Sequence, residues 1–343
     1  MVSSTIILLV SVAVGLALQW LVYALVQRPQ WLAEPDERSS HTRPTPTMGG
    51  LGIVGVVVGY MMLVSEETAS FGWPFILALI GLAAIGLWDD LKSLSARIRI
   101  VVHFVAAFVV LWSFALDLPL AMLVILTIAL VWFINLFNFM DGIDGYAAIQ
   151  TLVFCLGAQW VGNDIPGWSG ELLWVLAGSS LAFLAFNWPP AKIFMGDVGS
   201  GFLGLLIGAL VLYLWAHGFL PLISSLILLA GFWFDATYTL CMRVLTRQKF
   251  TQAHRSHLYQ HLAQGRGHLW TSVVFMIYGL CWLLPLAWLA ASWPYSWLEG
   301  YAIQVLLLSL SIVPIGIACW RFDAGSALVL ASSSTRPLPG EKE

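Results

Sequence analysis

The sequence predicts an all-α, polytopic integral membrane protein of about 11 transmembrane helices, with its N-terminus outside and its C-terminus cytoplasmic. Three observations predict it. Hydrophobic residues make up 60% of the 343 and charged residues only 10%, whereas a soluble domain is about a quarter charged. The mean hydropathy is +0.87. The 15 Lys and Arg fall only in segments that follow every second apolar run.

A hydrocarbon core about 30 Å thick needs roughly 20 apolar residues per helix. On that rule the spans lie near Val2–Val26, Met48–Val64, Trp73–Trp88, Ile100–Leu116, Pro119–Phe137, Tyr146–Val161, Leu172–Trp188, Gly199–Ala216, Phe219–Met242, Trp270–Ala291 and Tyr301–Trp320. The first run is too long for a signal-peptide core and lacks a basic start, so it reads as a retained helix. Arg28, Arg38 and Arg43 follow the first span, Lys92, Arg97 and Arg99 the third, and Lys192 the seventh. Arg243, Arg247, Lys249, Arg255 and Arg266 follow the ninth, and Arg321, Arg336 and Lys342 the eleventh. Glu66, Glu67, Asp164, Glu171 and Glu299 sit in the even loops, which lack Lys and Arg. The positive-inside rule makes the odd-loop side cytoplasmic.

The chain reads as one transmembrane domain, 1–320, with a cytoplasmic loop, 243–269, that carries part of the site. Residues 321–343 read as a disordered cytoplasmic tail rich in Ser, Pro and charge. The net charge of -3 says less than the asymmetry of the charges. Cys155, Cys241, Cys281 and Cys319 lie in or beside apolar spans without metal-like spacing and read as small packing residues.

Four cytoplasmic loops carry unusual residues. In RSSHTRPTPTMGG, 38–50, Arg38 and Arg43 could hold a phosphate, while Gly49 and Gly50 permit close backbone approach; a simple re-entry turn explains the loop equally well. It is not a nucleotide P-loop, because no Gly-Lys-Ser/Thr follows the glycines. In WDDLKSLSARIR, 88–99, the adjacent Asp89 and Asp90 repel unless a cation or proton offsets them. Lys92, Arg97, Arg99 or a metal could do so, although a lone acidic pair is more often an interfacial salt-bridge cap. In NLFNFMDGIDG, 135–145, Asn135, Asn138 and Asp141 share one helical face, which Asp144 extends if the helix continues. One Asp at a span centre costs roughly 2.5–3.5 kcal/mol on insertion scales and less near the ends. That cluster therefore favours a ligand or metal. In FNWPPAKIFMGDVGSG, 186–201, Pro189-Pro190 breaks the preceding helix and Asp197 sits between glycines at the start of the next span. It reads equally as a plain cap or as a ligand-reaching acid.

The later loop adds His254, Arg255, His257, His261 and His268. Its many cations argue for anion binding over zinc, and Asp235, inside the preceding span, reads as a paired structural carboxylate. Acids and cations at one membrane surface point to phosphate chemistry with a metal. Attack of one phosphate on another meets charge repulsion, which a metal and cations offset.

Taken together and in this order, RSSHTRPTPTMGG, WDD, NLFNFMDGIDG and FMGDVGSG resemble the polyprenyl-phosphate N-acetylhexosamine-1-phosphate transferases. That family includes the phospho-MurNAc-pentapeptide translocase and the enzymes that begin O-antigen and enterobacterial common antigen. The resemblance covers about Pro35 to Leu262. RSSH…TPT with HRSHLYQH is most similar to O-antigen initiators that act on UDP-N-acetylfucosamine or a related sugar; N-acetylglucosamine and N-acetylquinovosamine stay open. The resemblance implies transfer of an N-acetylated amino-sugar-1-phosphate from a UDP-sugar to undecaprenyl phosphate, with release of UMP. It implies the bacterial inner membrane as the location, a site facing the cytoplasm, and Mg²⁺, with Mn²⁺ as a substitute. Membrane lipid surrounds the protein, no nucleic acid is expected, and a homodimer is left open.

The resemblance also implies roles. Asn138 and Asp197 match metal ligands, and Asp89, Asp90 and Asp197 match catalytic acids. Asp144 matches a residue at the uracil end. Arg43, Arg99 and Asn187 align with phosphate-site residues. Lys92, Asn135, Asp141, Arg255, His257 and His261 complete the expected substrate contacts. Where many relatives have His-x-His-His, this chain reads His257-Leu258-Tyr259-Gln260, so no catalytic base is assigned there. The runner-up is a transporter of an anionic solute, against which stand acids gathered at one face and the lack of a repeat. A CDP-alcohol phosphotransferase also uses Asp-Gly and Mg²⁺, but its Asp-Gly-x-x-Ala-Arg is not followed here.

Overall fold

The computed structural model describes residues 3–28, 31–33, 44–64, 72–114, 118–165, 167–248, 254–293 and 298–326. The expected Arg43 contact lies outside the described residues, as does the tail beyond Ser326. The described chain is helical apart from one short antiparallel ribbon, β1 (Leu32–Ala33) paired with β2 (Thr45–Pro46).

The helices are α1 (Ser4–Leu25), α2 (Gly50–Leu63), α3 (Gly72–Leu91), α4 (Ala96–Ser113), α5 (Leu120–Met140), α6 (Tyr146–Val161) and α7 (Gly167–Asn187). They continue as α8 (Asp197–Ala216), α9 (Leu222–Leu228), α10 (Ala230–Leu245), α11 (Leu258–Arg266), α12 (His268–Ile277), α13 (Leu284–Ser292) and α14 (Leu298–Arg321). A π-helical stretch, Tyr278–Leu283, joins α12 to α13 into one long span.

Among the described residues, 8 helical segments are long and apolar enough to cross a membrane. The pair α9 and α10 makes a ninth if its 77° bend is counted within one span. The sequence expects an unbroken span there. Leu228 ends the first half, and its carbonyl is satisfied from the side by the Gln150 amide at 2.9 Å, so the break leaves no orphaned acceptor at that point. Two further expected spans are the shorter apolar helices α2 and α6, of 14 and 16 residues.

The bundle is organised around α8. Burial covers 94% of its apolar window, against 17% for α1 at the rim. Helix α8 packs on α3, α5 and α2, and its glycines permit the approach. A Cβ added at Gly50 would run into the backbone of Gly199, so α2 and α8 touch backbone to backbone. The Gly49 and Gly50 N–H groups donate to the carbonyls of Phe194 and Met195, both at 2.8 Å, and the Phe194 N–H donates to Pro46. The glycine pair of the first loop is thus spent on a protein contact. It laces the TPTMGG stretch to the stretch that leads into α8.

Candidate active site

One end of the bundle gathers the C-terminal ends of α3, α5 and α7 around the N-terminus of α8. The first turn of a helix leaves backbone N–H groups without partners. Here a neighbouring helix supplies the cap. Asp90, near the end of α3, accepts the N–H of Asp197 at 2.9 Å and the N–H of Val198 at 3.0 Å, one on each oxygen. Gly196 has φ +77°, and a Cβ there would meet the Asp90 carboxylate at 2.6 Å. Only glycine fits between the acid and the helix it caps.

Asp197 opens α8 with its side chain toward the cleft. Its Oδ1 accepts the Asn138 amide at 2.6 Å, and Asn138 also reaches the Ser200 hydroxyl at 3.0 Å. Its Oδ2 accepts Arg99 Nη1 at 3.1 Å. The same Arg99 nitrogen donates to Asp89 at 2.6 Å, and the other Asp89 oxygen takes the Leu94 N–H at 2.5 Å. The two members of the acidic pair therefore have different duties: Asp90 holds a helix, and Asp89 holds Arg99 beside Asp197.

Helix α5 stops at Met140, so the expected four-residue polar face is broken. Asn135 turns toward α4, donating to Val131 O at 2.7 Å and approaching His103 Nδ1 at 3.2 Å. It does not reach the cleft wall. Asp141 caps the helix end and does line the cleft. Burial pushes its carboxyl well above the usual carboxylate range, and the nearby Asp197, Asp90 and Asp144 add to the effect. Asp144 lies beyond the helix on the turn that leads to α6. One of its oxygens accepts the Ala191 N–H at 3.0 Å, and the other faces His268 Nδ1 at 3.1 Å. Asn187 is buried, accepting the Gly145 N–H at 2.7 Å and donating to Ile193 O at 2.8 Å. Its amide joins the DGIDG turn to the PPAKIF loop.

Helix α11 closes the cleft from another side. Buried Asp235 accepts the N–H groups of Leu258 and Tyr259 at 2.8 and 3.0 Å, together with the Thr239 hydroxyl at 3.1 Å. It is a paired structural carboxylate, as the sequence reading favours. The Tyr259 hydroxyl donates to Phe139 O at 2.9 Å, which ties α11 to the end of α5. His257 is buried and stacks against Phe139. Burial, with His257 and Arg243 adding, pulls His254 down to about 3, and burial also lowers His261.

The cleft encloses about 330 Å³, within the range of small-molecule sites. Its wall brings together Asp90, Asn138, Asp141, Asp144, Asn187 and Asp197 of the expected residues. Asp89 and Arg99 stand behind Asp197. Lys92, Arg255, His257 and His261 do not form part of the wall, and Lys92 is exposed on the connection to α4. Sequence reading missed Thr47 and Gln260, which also line the cleft, and the pairing of His268 with Asp144. Thr47 sits within the flagged TPT stretch. Gln260 was visible only as a departure from His-x-His-His.

The wall carries four carboxylates and, among the described residues, no Lys, Arg or His. Among those residues no three His, Cys, Asp or Glu side chains converge tightly enough to cage a metal. Asp197 and Asn138 are adjacent, with Asp141 on the same wall. That donor set suits a hard divalent cation that keeps water or phosphate oxygens as its remaining ligands.

Residues 73–215 match glycosyl transferase family 4, a stretch that holds every acid in the cleft wall but not α11. A decaprenyl-phosphate N-acetylglucosaminephosphotransferase of Mycobacterium tuberculosis is 33% identical, with 75% of this chain and 74% of the relative covered. A probable undecaprenyl-phosphate N-acetylglucosaminyl 1-phosphate transferase of Bacillus subtilis is 28% identical over 82% of each. A phospho-N-acetylmuramoyl-pentapeptide-transferase of Gluconacetobacter diazotrophicus is 32% identical over 59% of this chain and 70% of its own length.

Proposed function

The chain belongs to glycosyl transferase family 4 as a sugar-phosphate transferase, and on that premise we propose that it moves an N-acetylated amino-sugar-1-phosphate from a UDP-sugar to undecaprenyl phosphate. UMP is the second product, and the lipid-linked sugar is the first unit of a surface polysaccharide of O-antigen type. The observation that carries this reading is the charge of the cleft wall. Its four carboxylates, met only from outside the wall by Arg99 at Asp197 and His268 at Asp144, would disfavour a bare pyrophosphate. The same wall would suit phosphate with a divalent cation held by Asp197 and Asn138.

Asp197 and Asn138 would hold Mg²⁺, or Mn²⁺ in its place, which would supply positive charge against the charge that builds up during transfer. An oxygen of the lipid phosphate attacks the phosphorus that bears the sugar. The bond from that phosphorus to the bridging oxygen breaks, and UMP leaves. A phosphate monoester has its second pKa at about 6, so the lipid phosphate is largely dianionic at neutral pH and needs little help from a base. Both Asp90 oxygens are spent on the α8 cap, and both Asp89 oxygens on Arg99 and Leu94. Those hydrogen bonds lower the nucleophilicity of both acids, which favours direct attack over an aspartyl-phosphate route. Asp89 positions Arg99, and Arg99 neutralises charge beside Asp197.

The cleft end faces the cytoplasm in this reading, because Lys and Arg cluster in its loops. Cysteine labelling from each side of the membrane would place the exposed Ser95 and Gln264 inside and Asn163 outside; opposite sides for Ser95 and Gln264 would break the shared site. The decisive assay is mass analysis of lipid products across a panel of UDP-sugars with undecaprenyl phosphate. Product with an N-acetylated amino sugar is expected, best with the N-acetylfucosamine type. No product with any UDP-N-acetylhexosamine would overturn the proposal.

A further inference from the structure

Helix α11 carries Gln260 into the cleft, and the Gln260 Oε1 is already committed to the His257 N–H at 3.2 Å. Its position depends on the connection from α10. Both stems of that connection meet one residue from beyond the last span. The Gly325 N–H donates to Ser256 O at 2.7 Å, and the Gln248 amide donates to Gly325 O at 2.9 Å. Ser256 is fully buried and stands immediately before the cap residue of α11. Gln248 also accepts Arg243 Nη1 at 2.8 Å, and the same nitrogen approaches the Ser256 hydroxyl at 3.4 Å.

The sequence at this point is suited to the contact. Gly325 has φ +93°, and a Cβ there would stand 2.6 Å from Met242 Cβ and 3.1 Å from Thr239 O. Only glycine both adopts this backbone and lies flat on α10. Ala324 is buried beside it. A short stretch past the final helix is therefore packed, hydrogen-bonded through both the N–H and the carbonyl of one residue, and joined to the helix that closes the cleft.

We propose that Gly325 is a positioning residue for the cleft: by fastening Gln248 and Ser256 together it sets where α11 holds Gln260 against the bound nucleotide sugar. The kinetic readout rests on the transfer reaction proposed above, and the proteolytic readout does not. Gln248→Glu is the sharp variant. It keeps an oxygen for Arg243 but replaces the amide that donates to Gly325 with an acceptor. Its companions are the chain ended after Phe322, which lacks the clasp, and the chain ended after Ser326, which keeps it.

All are compared with the full chain in lipid nanodiscs, for KM and kcat and for trypsin cleavage after Arg247 and Arg255. Gln248→Glu and the chain ended at Phe322 should raise KM for the UDP-sugar about fivefold, with kcat within about twofold and KM for the lipid acceptor unchanged. Both should be cleaved faster, and the chain ended at Ser326 should match the full chain. Wild-type KM and cleavage in Gln248→Glu would overturn the proposal, as would a defect confined to kcat. If the Phe322 truncation does not fold, Gln248→Glu decides alone. If the full chain transfers no sugar at all, the transfer reading fails and the cleavage rates still decide the clasp.

Discussion

At the cleft end of the bundle Asp90, Asp141, Asp144 and Asp197 line one wall, whereas at the opposite end Glu171 and several aromatic rings are paired off. There the Tyr60 hydroxyl donates to Glu171 at 2.8 Å, joining α2 to α7. Tyr213 packs edge-on against Trp168, His217 stacks on Phe219, and the Asn163 N–H donates to the Phe219 carbonyl at 2.8 Å. Polar groups at that end close the bundle. At the cleft end a raised Asp141 carboxyl and the Gln260 amide face an open space. Acids gathered at a membrane protein's surface cost stability, and of the wall acids Arg99 and His268 meet only Asp197 and Asp144, so the concentration of acids at one end marks where a ligand is expected to supply further positive charge.

The largest contrast is expected from Asp197→Asn. Loss of the acid beside Asn138 and Arg99 should lower turnover about a thousandfold, at the upper end of what single electrostatic groups contribute. Excess chelator should abolish wild-type turnover, and Mg²⁺ should restore it. Full activity in chelator would remove the metal from the account. Asp90→Asn is a subtler break. The amide keeps one acceptor but turns an NH₂ toward a backbone N–H of α8, so about 1 kcal/mol of stability should go with the lost cap. Turnover should fall about tenfold, a transition-state loss of similar size. Slow turnover in Asp90→Asn with an unchanged melting curve would instead assign Asp90 to proton transfer.

Asp141 gives a pH test. Its folded-state pKa lies above the ordinary value, so the native protein binds the proton more tightly than the unfolded chain. The stability linked to that proton is complete below about pH 4 and is lost as pH rises through the raised value. Without divalent cation, melting temperature should fall across that rise, and Asp141→Asn should reduce the fall, the neighbouring wall acids keeping the rest. A fall undiminished in Asp141→Asn would assign it to those other groups alone. The smallest effect belongs to the opposite end. Tyr60→Phe removes one hydrogen bond, worth about 1 kcal/mol, and should leave turnover within about twofold. A large catalytic loss there would erase the distinction between the two ends.

The same contrast governs what could be read from the sequence. Apolar runs announced the helices, because burial in hydrocarbon has a length scale that residue types reveal directly. The 77° break between α9 and α10 was not announced, since neither Leu228 nor Leu229 is a helix breaker and the compensating Gln150 lies on another helix. Asn138, Asp141, Asp144 and Asp197 were legible as polar residues at span ends, and the structure gathers them in one wall. Asp90 and Asn187 were legible as members of the site but not as the ties that hold it, because backbone partners some 107 and 42 residues away leave no trace in local pattern. Asn135 was grouped by helical periodicity, and its hydrogen bonds to Val131 and toward His103 take it elsewhere. Gln260 gave no signal of its own, since a glutamine on a polar loop helix is ordinary until its neighbours in space are known.

The central claim is that this cleft joins a lipid phosphate and a nucleotide sugar in a single displacement. The most direct test is UMP release by the purified chain with Mg²⁺ and UDP-sugar, with and without undecaprenyl phosphate. The account predicts UMP only when the acceptor is present, in one-to-one ratio with the lipid-linked sugar. A burst of UMP without acceptor, one per protein molecule, with a sugar-phosphate adduct trapped on Asp89 or Asp90, would contradict it.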